Sequence, residues 1–290
     1  MDRDAAVTHE IPLERRTLHG HFSRQLEPVL TIDPGDTIAF GTLNAGWEGE
    51  LDTRFEPRDA ELDAGHALIG PVEVRGARAG GTLVVHVRDI VPGAWGVTYA
   101  HDTRVVWRIE GDEWGEERGA RVASAPFLGV LGMPPAAPGR HSTGPPRVCG
   151  GNIDCKELVA GSTLYLPISV DGGLFSAGDC HGAQGDGEVS GTAIECPLER
   201  AKLTLELADL ELRSPIARVS GAWLAFGFDE RLDAAAEQAM ATMLDLMERE
   251  LGFERGYALA LASVVVDLRV TQIVNGVRGV HAVLADNALR

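Results

Sequence analysis

The chain has 290 residues, of which 44% are hydrophobic, 24% charged and only 6% aromatic, and its formal net charge is −17. That length holds one large or two modest domains with a well-buried core. The acidic balance argues against a nucleic-acid partner, which needs clustered Lys and Arg, and no apolar run reaches the length of a membrane helix. The opening Met1-Asp2-Arg3-Asp4 lacks the apolar core of a signal peptide, so a cytoplasmic protein is expected. Cys149, Cys155, Cys180 and Cys196 form no CxxC pair, which speaks against a zinc knuckle and for reduced thiols.

Short β-rich runs at residues 29–32 and 37–40 flank Asp33-Pro34-Gly35-Asp36, a strong turn signal. Runs over 70–74 and 82–90 flank a glycine-rich turn at 76–81. In the second of these, Leu83, Val85 and Val87 alternate with Val84, His86 and Arg88, giving one apolar and one mixed face. Residues 133–146 are a Pro/Gly/Ala-rich connector, readable as a linker or as an ordered active-site wall. Strands are expected again over 163–170, 187–196 and 201–212.

The period then changes. Residues 229–251 read as an amphipathic helix with Asp229 as N-cap and Gly252 as C-cap. The Met243/Met247 stripe on it reads as core filler. A second helix is expected over 255–266, then a strand over 268–274, a turn at Asn275-Gly276 and a returning strand over 280–284. Short strands without intervening helices predict a mainly β protein: a β-sandwich or barrel-like body with an added α+β layer of C-terminal helices. Two β-rich domains, 1–132 and 133–290, or one intertwined domain, fit this pattern.

The chemistry concentrates in Gly150-Gly151-Asn152-Ile153-Asp154 and in 178–188, which holds Asp179, His181, Asp186 and Glu188 between glycines. Glycine permits the tight turns that bring side chains onto one spot. Asp, His and Glu together are the set that holds a divalent cation and moves a proton. An Asp/Gly-rich turn without chemistry is the plain alternative.

These residues, with Gly161-Ser162-Thr163-Leu164-Tyr165-Leu166-Pro167 and Ala193-Ile194-Glu195, resemble the acetamidase/formamidase family. The likeness extends to 21–40, to Gly70-Pro71-Val72-Glu73-Val74-Arg75-Gly76, to Pro126-Phe127-Leu128-Gly129-Val130 and to the C-terminal helices. The resemblance implies hydrolysis of short aliphatic amides to acid and ammonia, on a β-sandwich-rich fold with a divalent metal, often zinc or calcium. It also suggests a homodimer or larger homo-oligomer. The chain departs from the family's pattern at Asn44, where Asp is common, at Gly81, where a PGD turn is usual, and at Cys180.

An unactivated amide needs a strong nucleophile, charge stabilisation at oxygen and a proton for the departing nitrogen. A cation with its water serves the first two needs. Asp154, Asp179 and His181 are accordingly the first-choice metal ligands, with His21, His66 and Asp89 as further candidates. Zinc is the first choice of metal, with calcium, manganese or iron compatible. Glu188 is expected as general base, with Asp186 competing for that role. Asn152 and Gln184 are expected to bind substrate, since a side-chain amide complements an amide's donor and acceptor. Two rivals stand beside this reading. One is a thiol amidase using Cys155, Lys156 and Glu157, disfavoured because sequence neighbours on a strand face opposite ways. The other is a non-catalytic sandwich that binds a small ligand.

Overall fold

The computed structural model describes residues 6–289; the Met1–Asp4 opening lies outside them. Two large sheets face each other. The nine-stranded sheet runs Thr8–Ile11, Thr37–Thr42, Leu198–Ala208, Thr82–Pro92, Thr163–Pro167, Ile216–Val219, Ala222–Asp229, Arg278–Ala285 and Val266–Gln272. The eleven-stranded sheet centres on Phe175–His181, which pairs antiparallel with Phe127–Gly132, Glu195–Cys196 and Leu68–Val74. Strands from either side of residue 132 thus share both sheets.

The alternation in 82–90 explains the packing. Leu83, Val85 and Val87 are buried and join Leu203 and Leu205 of the neighbouring strand in one apolar face. That face meets Val72, Phe175 and Leu128 of the other sheet in one core cluster. Burying each such side chain contributes roughly 1.5–3 kcal/mol.

The helices cover the outer face of the nine-stranded sheet. Helix α1 (Leu232–Leu251) and helix α2 (Arg255–Val265) form a second core with Ala225, Val280, Ala282 and Leu284. Met243 and Met247 are fully buried there as filler. α1 ends as expected, with Gly252 in the left-handed region at φ 68. Its start differs: Arg231 is the N-cap, because Asp229 still belongs to a strand and accepts from Arg231 N and Gln238 Nε2. At α2 the Glu254 carboxylate caps Gly256 and Tyr257.

The C-terminal hairpin forms between Val266–Gln272 and Arg278–Ala285, with Asn275 and Gly276 both at positive φ. The expected strand over 187–196 does not form; only Glu195–Cys196 is extended. The preceding glycines turn the chain instead and bring Glu188 inward. No described helix is long and apolar enough to cross a membrane.

His19 makes one measurable demand on this fold. It is buried, with Nδ1 at 2.7 Å from the His21 carbonyl and Nε2 at 3.0 Å from Ser176 Oγ. Burial, with the nearby His21 and Arg15 charges, lowers its pKa to about 4, against a favourable His21 carbonyl. The folded pKa lies below the unfolded 6.5, so stability is complete above 6.5 and is lost as pH falls through 4. At ~1.4 kcal/mol per pH unit the gap corresponds to about 3 kcal/mol. In urea titrations, most of that loss is expected between about pH 7.5 and about pH 4.5, and His19→Asn should show less of it. Equal acid losses in both proteins would remove His19 from the account.

Candidate active site

Gly129, in the Phe127–Gly132 strand, is the point around which the acidic residues gather. Its carbonyl accepts from the N–H groups of Ile153 and Asp154, which follow the short Gly150–Asn152 strand. Across the other edge, Leu128 pairs with Cys180 and Val130 with Gly178, which places Asp179 opposite Gly129. A Cβ on Gly129 would lie 2.5 Å from Asp179 Oδ2, 2.7 Å from Asp154 Oδ1 and 3.0 Å from His181 Cε1. The missing side chain leaves the space that these three groups fill.

Glu188 enters from the glycine-rich loop and Glu195 from the strand that pairs with His181. Asp154, Asp179 and Glu188 all have positive φ, at 53°, 61° and 45°. Side chains rarely adopt that region, at a cost of about 1–3 kcal/mol each, and it aims these carboxylates inward. Asn152, Asp179, His181, Glu188 and Glu195 line a cavity of about 570 Å³, with His66 and Asn275 on its walls.

His181 connects the set. Its Nε2 is 3.4 Å from Asp179 Oδ2 and 3.2 Å from Glu195 Oε2. Its Nδ1 is 2.9 Å from Gln184 Oε1, and Gln184 Nε2 donates to the Asp154 carbonyl at 2.8 Å. The Gln184 oxygen can only accept, so Nδ1 carries a hydrogen and Nε2 is the atom turned to the carboxylates. Asn275 Nδ2 donates to Asp154 Oδ2 at 3.2 Å.

Four buried carboxylates around one imidazole set the electrostatics. Burial pushes Asp154 well above the ordinary carboxylate range, and the Glu188 charge adds to it. Burial likewise raises Glu188 to about 7, helped by Glu195 and Asp179 and opposed by His181. Asp179 goes the other way: burial would raise it, but the His181 and His66 charges outweigh that and hold it low. Burial would lower His181, but Glu195 and Asp179 hold it well above its ordinary value.

The donors fit a divalent cation. Asp154 Oδ1, Asp179 Oδ1 and Glu188 Oε2 are buried and have no hydrogen-bond partner among the described residues, and Glu195 Oε2 meets only His181 Nε2. Unpaired buried acceptors of this kind are costly, and no Lys or Arg is ion-paired to them among the described residues. Two triplets, Asp154/His181/Glu188 and Asp179/His181/Glu195, each bring their ligand atoms within 4.8 Å of one another. Oxygen and imidazole donors suit zinc, manganese or iron.

Not all of the other expected site residues reach the cavity. Gln184 was expected to bind substrate, but both ends of its amide are engaged behind His181. Asp186 pairs with Lys156 at 2.9 Å and does not line the cavity. His21 Nδ1 is bound to the Leu62 carbonyl at 2.8 Å, also off the cavity. Asp89 is tied to Arg200 at 2.8 Å on an exposed stretch of its strand. His66 does reach the site: its Nδ1 is 2.8 Å from Thr143 Oγ1 and its Nε2 is 4.0 Å from Asp179 Oδ2. Ser142 and Thr143 line the cavity, so the 133–146 connector is an ordered wall. Asn44 lines it too and caps its own turn by accepting from Glu48 N–H at 2.9 Å.

Two residues went unremarked in the sequence. Glu195 lay inside the resembling stretch, but a role for it emerges only from its pairing with His181. Asn275 read simply as a turn residue, and no local signal marks its reach to Asp154.

A family model described as the Acetamidase/Formamidase family matches residues 5–118 and 116–209. The chain belongs to that family. A formamidase of Methylophilus methylotrophus is 26% identical over 242 residues, covering 60% of this chain and 60% of its own. An acetamidase of Mycolicibacterium smegmatis is 24% identical over 263 residues, covering 64% of this chain and 65% of its own. The chain therefore spans less than two thirds of the length of these two relatives. The crystal structure of an acetamidase from Bacillus halodurans matches with a TM-score of 0.85 at 29% identity, covering 95% of this chain and 97% of that one. Family membership agrees with the resemblance read from the central motifs.

Proposed function

We propose that this protein hydrolyses the C–N bond of a short aliphatic amide, giving a carboxylic acid and ammonia. The observation that carries the reading is the group of unpartnered carboxylate oxygens around His181 at one cavity. Family membership supports the reaction class. In this reading Asp154, Asp179 and His181 hold a divalent cation, zinc by first choice, and Glu195 joins them. Such a cation, when bound, acidifies water and polarises a carbonyl.

The chain's own groups supply the rest. Asn152 Oδ1 is buried, lines the cavity and has no partner among the described residues, so it can accept an N–H of the substrate amide. Glu188 takes a proton from the attacking water and returns it to the departing nitrogen, leaving acid and ammonia. Gln184 is a positioning residue, fixing the His181 ring and the Asp154 backbone together.

The thiol route finds less support. Cys155 is fully buried, off the cavity, and burial together with Glu157 pushes its thiol well above the ordinary range. Lys156 is engaged with Asp186. A cytoplasmic homo-oligomer belongs to the same proposal, and light scattering on the purified protein reads the oligomeric state.

The test is ammonia release from formamide, acetamide, propionamide and urea, before chelation, after it, and after metal add-back. Activity on at least one amide, lost with chelator and restored by metal, is the expected result. Activity that survives chelation but not thiol alkylation would move the chemistry to a cysteine. Silence on every amide would overturn the assignment.

A further inference from the structure

A second group of donors lies behind the proposed catalytic cluster. Cys155 and His281 are both fully buried, and Glu157 is partly buried between them. Cys155 Sγ lies 3.2 Å from Glu157 Oε2, and His281 Nε2 lies 3.8 Å from the same oxygen. All three ligand atoms fall within 4.8 Å of one another. The His281 Nε2 has no hydrogen-bond partner among the described residues, although the ring is buried and directed into this group.

We infer that Cys155, Glu157 and His281 form a second metal site, separate from the proposed catalytic centre and suited to zinc. Thiolate, imidazole and carboxylate together favour this borderline-soft ion over calcium or magnesium. Zinc–ligand bonds of about 2.0–2.3 Å in a tetrahedron place neighbouring donors roughly 3.3–3.8 Å apart. The His281–Glu157 separation of 3.8 Å falls at the upper end of that range and the Cys155–Glu157 separation of 3.2 Å lies just below it.

The surroundings orient two of the three donors, His281 and Glu157. Thr271 Oγ1 lies 2.8 Å from His281 Nδ1, an outer contact that leaves Nε2 free to coordinate. Burial also keeps His281 in its neutral form, lowering its pKa against the pull of Glu157. Arg269 holds the other oxygen of Glu157 at 3.1 Å, which orients Oε2 towards the site. Lys156, the remaining nearby cation, is neutralised by Asp186 at 2.9 Å. Binding displaces the Cys155 proton to solvent, and the resulting thiolate and carboxylate balance the charge of the ion.

Such an ion would tie the C-terminal hairpin to the loop that carries Asp154. The same hairpin already touches both catalytic loops. Gly187 N–H donates to the Thr271 carbonyl at 3.1 Å, and Ile273 N–H donates to the Gly187 carbonyl at 3.0 Å. Asn275 donates to Asp154. A metal at Cys155 therefore fixes the hairpin against which Asp154 and Glu188 are placed.

The test uses the full chain, stripped with chelator and titrated with cobalt(II). Thiolate–cobalt coordination gives a near-ultraviolet charge-transfer band, which oxygen and imidazole donors alone do not. Two cobalt ions per chain are expected once the proposed catalytic group also fills, with the band accounting for one of them and displaced by zinc. Cys155→Ser should lose the band and bind one ion fewer, whereas Glu188→Gln should keep it. Should Cys155→Ser fail to fold, His281→Gln retains the thiol, and the band should then need about ten-fold more cobalt or higher. Cobalt binding to the wild type without a thiolate band would overturn the site while leaving the catalytic reading standing. A band that survives Cys155→Ser, or is unaffected by His281→Gln, would assign the thiolate to another cysteine and also overturn it.

Discussion

Replacing Glu188 by Gln is expected to lower amide turnover by about 10²–10⁴-fold, the range that a positioned general base contributes. The exchange nearly preserves side-chain volume while removing the negative charge and the ability to take up a proton. Glu188 suits this role because its loop turns at Gly187 and presents a buried, unpartnered Oε2 at the cavity. Metal content by mass spectrometry should stay at the wild-type value, since Asp154, Asp179, His181 and Glu195 would still hold the ion. Loss of metal along with activity would make Glu188 a ligand, consistent with its place beside Asp154 and His181. Retained turnover would remove it from the chemistry altogether.

The sequence was most legible where pattern and burial coincide. Leu83, Val85 and Val87 alternate and do face the core, and 229–251 carries a helical stripe that packs on the sheet. Glycine punctuation marked the loops that converge on His181, because turns that rotate Asp154, Asp179 and Glu188 inward need glycines around them. What pattern could not supply was long-range pairing. Glu195 matters through its register with His181, and Asn275 through a hairpin that ends beside Asp154. Residues 187–196 looked extended because Val189, Thr192 and Ile194 favour strands, yet Gly187 and Gly191 at positive φ keep the chain turning. Asp186 and Gln184 illustrate the remaining gap. Sequence placed both in the loop that carries Glu188, but which way each side chain points depends on Lys156 and His181, which reach them through the fold.

The steric centre of the site leads to the second large effect. Gly129→Ala adds one methyl group where the cluster has no room for it. Its backbone lies outside the positive-φ region, so alanine suits the local conformation and the cost falls on the neighbours. Those neighbours cannot easily yield. Asp154 and Asp179 are held in left-handed backbone, and His181 is pinned by Gln184 on one side and by Phe127, in edge contact at 5.0 Å, on another. Overpacking of this kind costs about 1–3 kcal/mol, so the protein should still fold, with a melting temperature lower by several degrees. Function should suffer far more, since moving catalytic groups by about 1 Å can cost roughly 10²-fold. The expected result is a folded protein with activity down at least that far and weakened metal binding, read by circular dichroism, ammonia release and metal analysis on one preparation. Normal activity and metal content would mean that Asp154, Asp179 and His181 need not converge at Gly129 for catalysis, and the proposed ligand set would have to be abandoned.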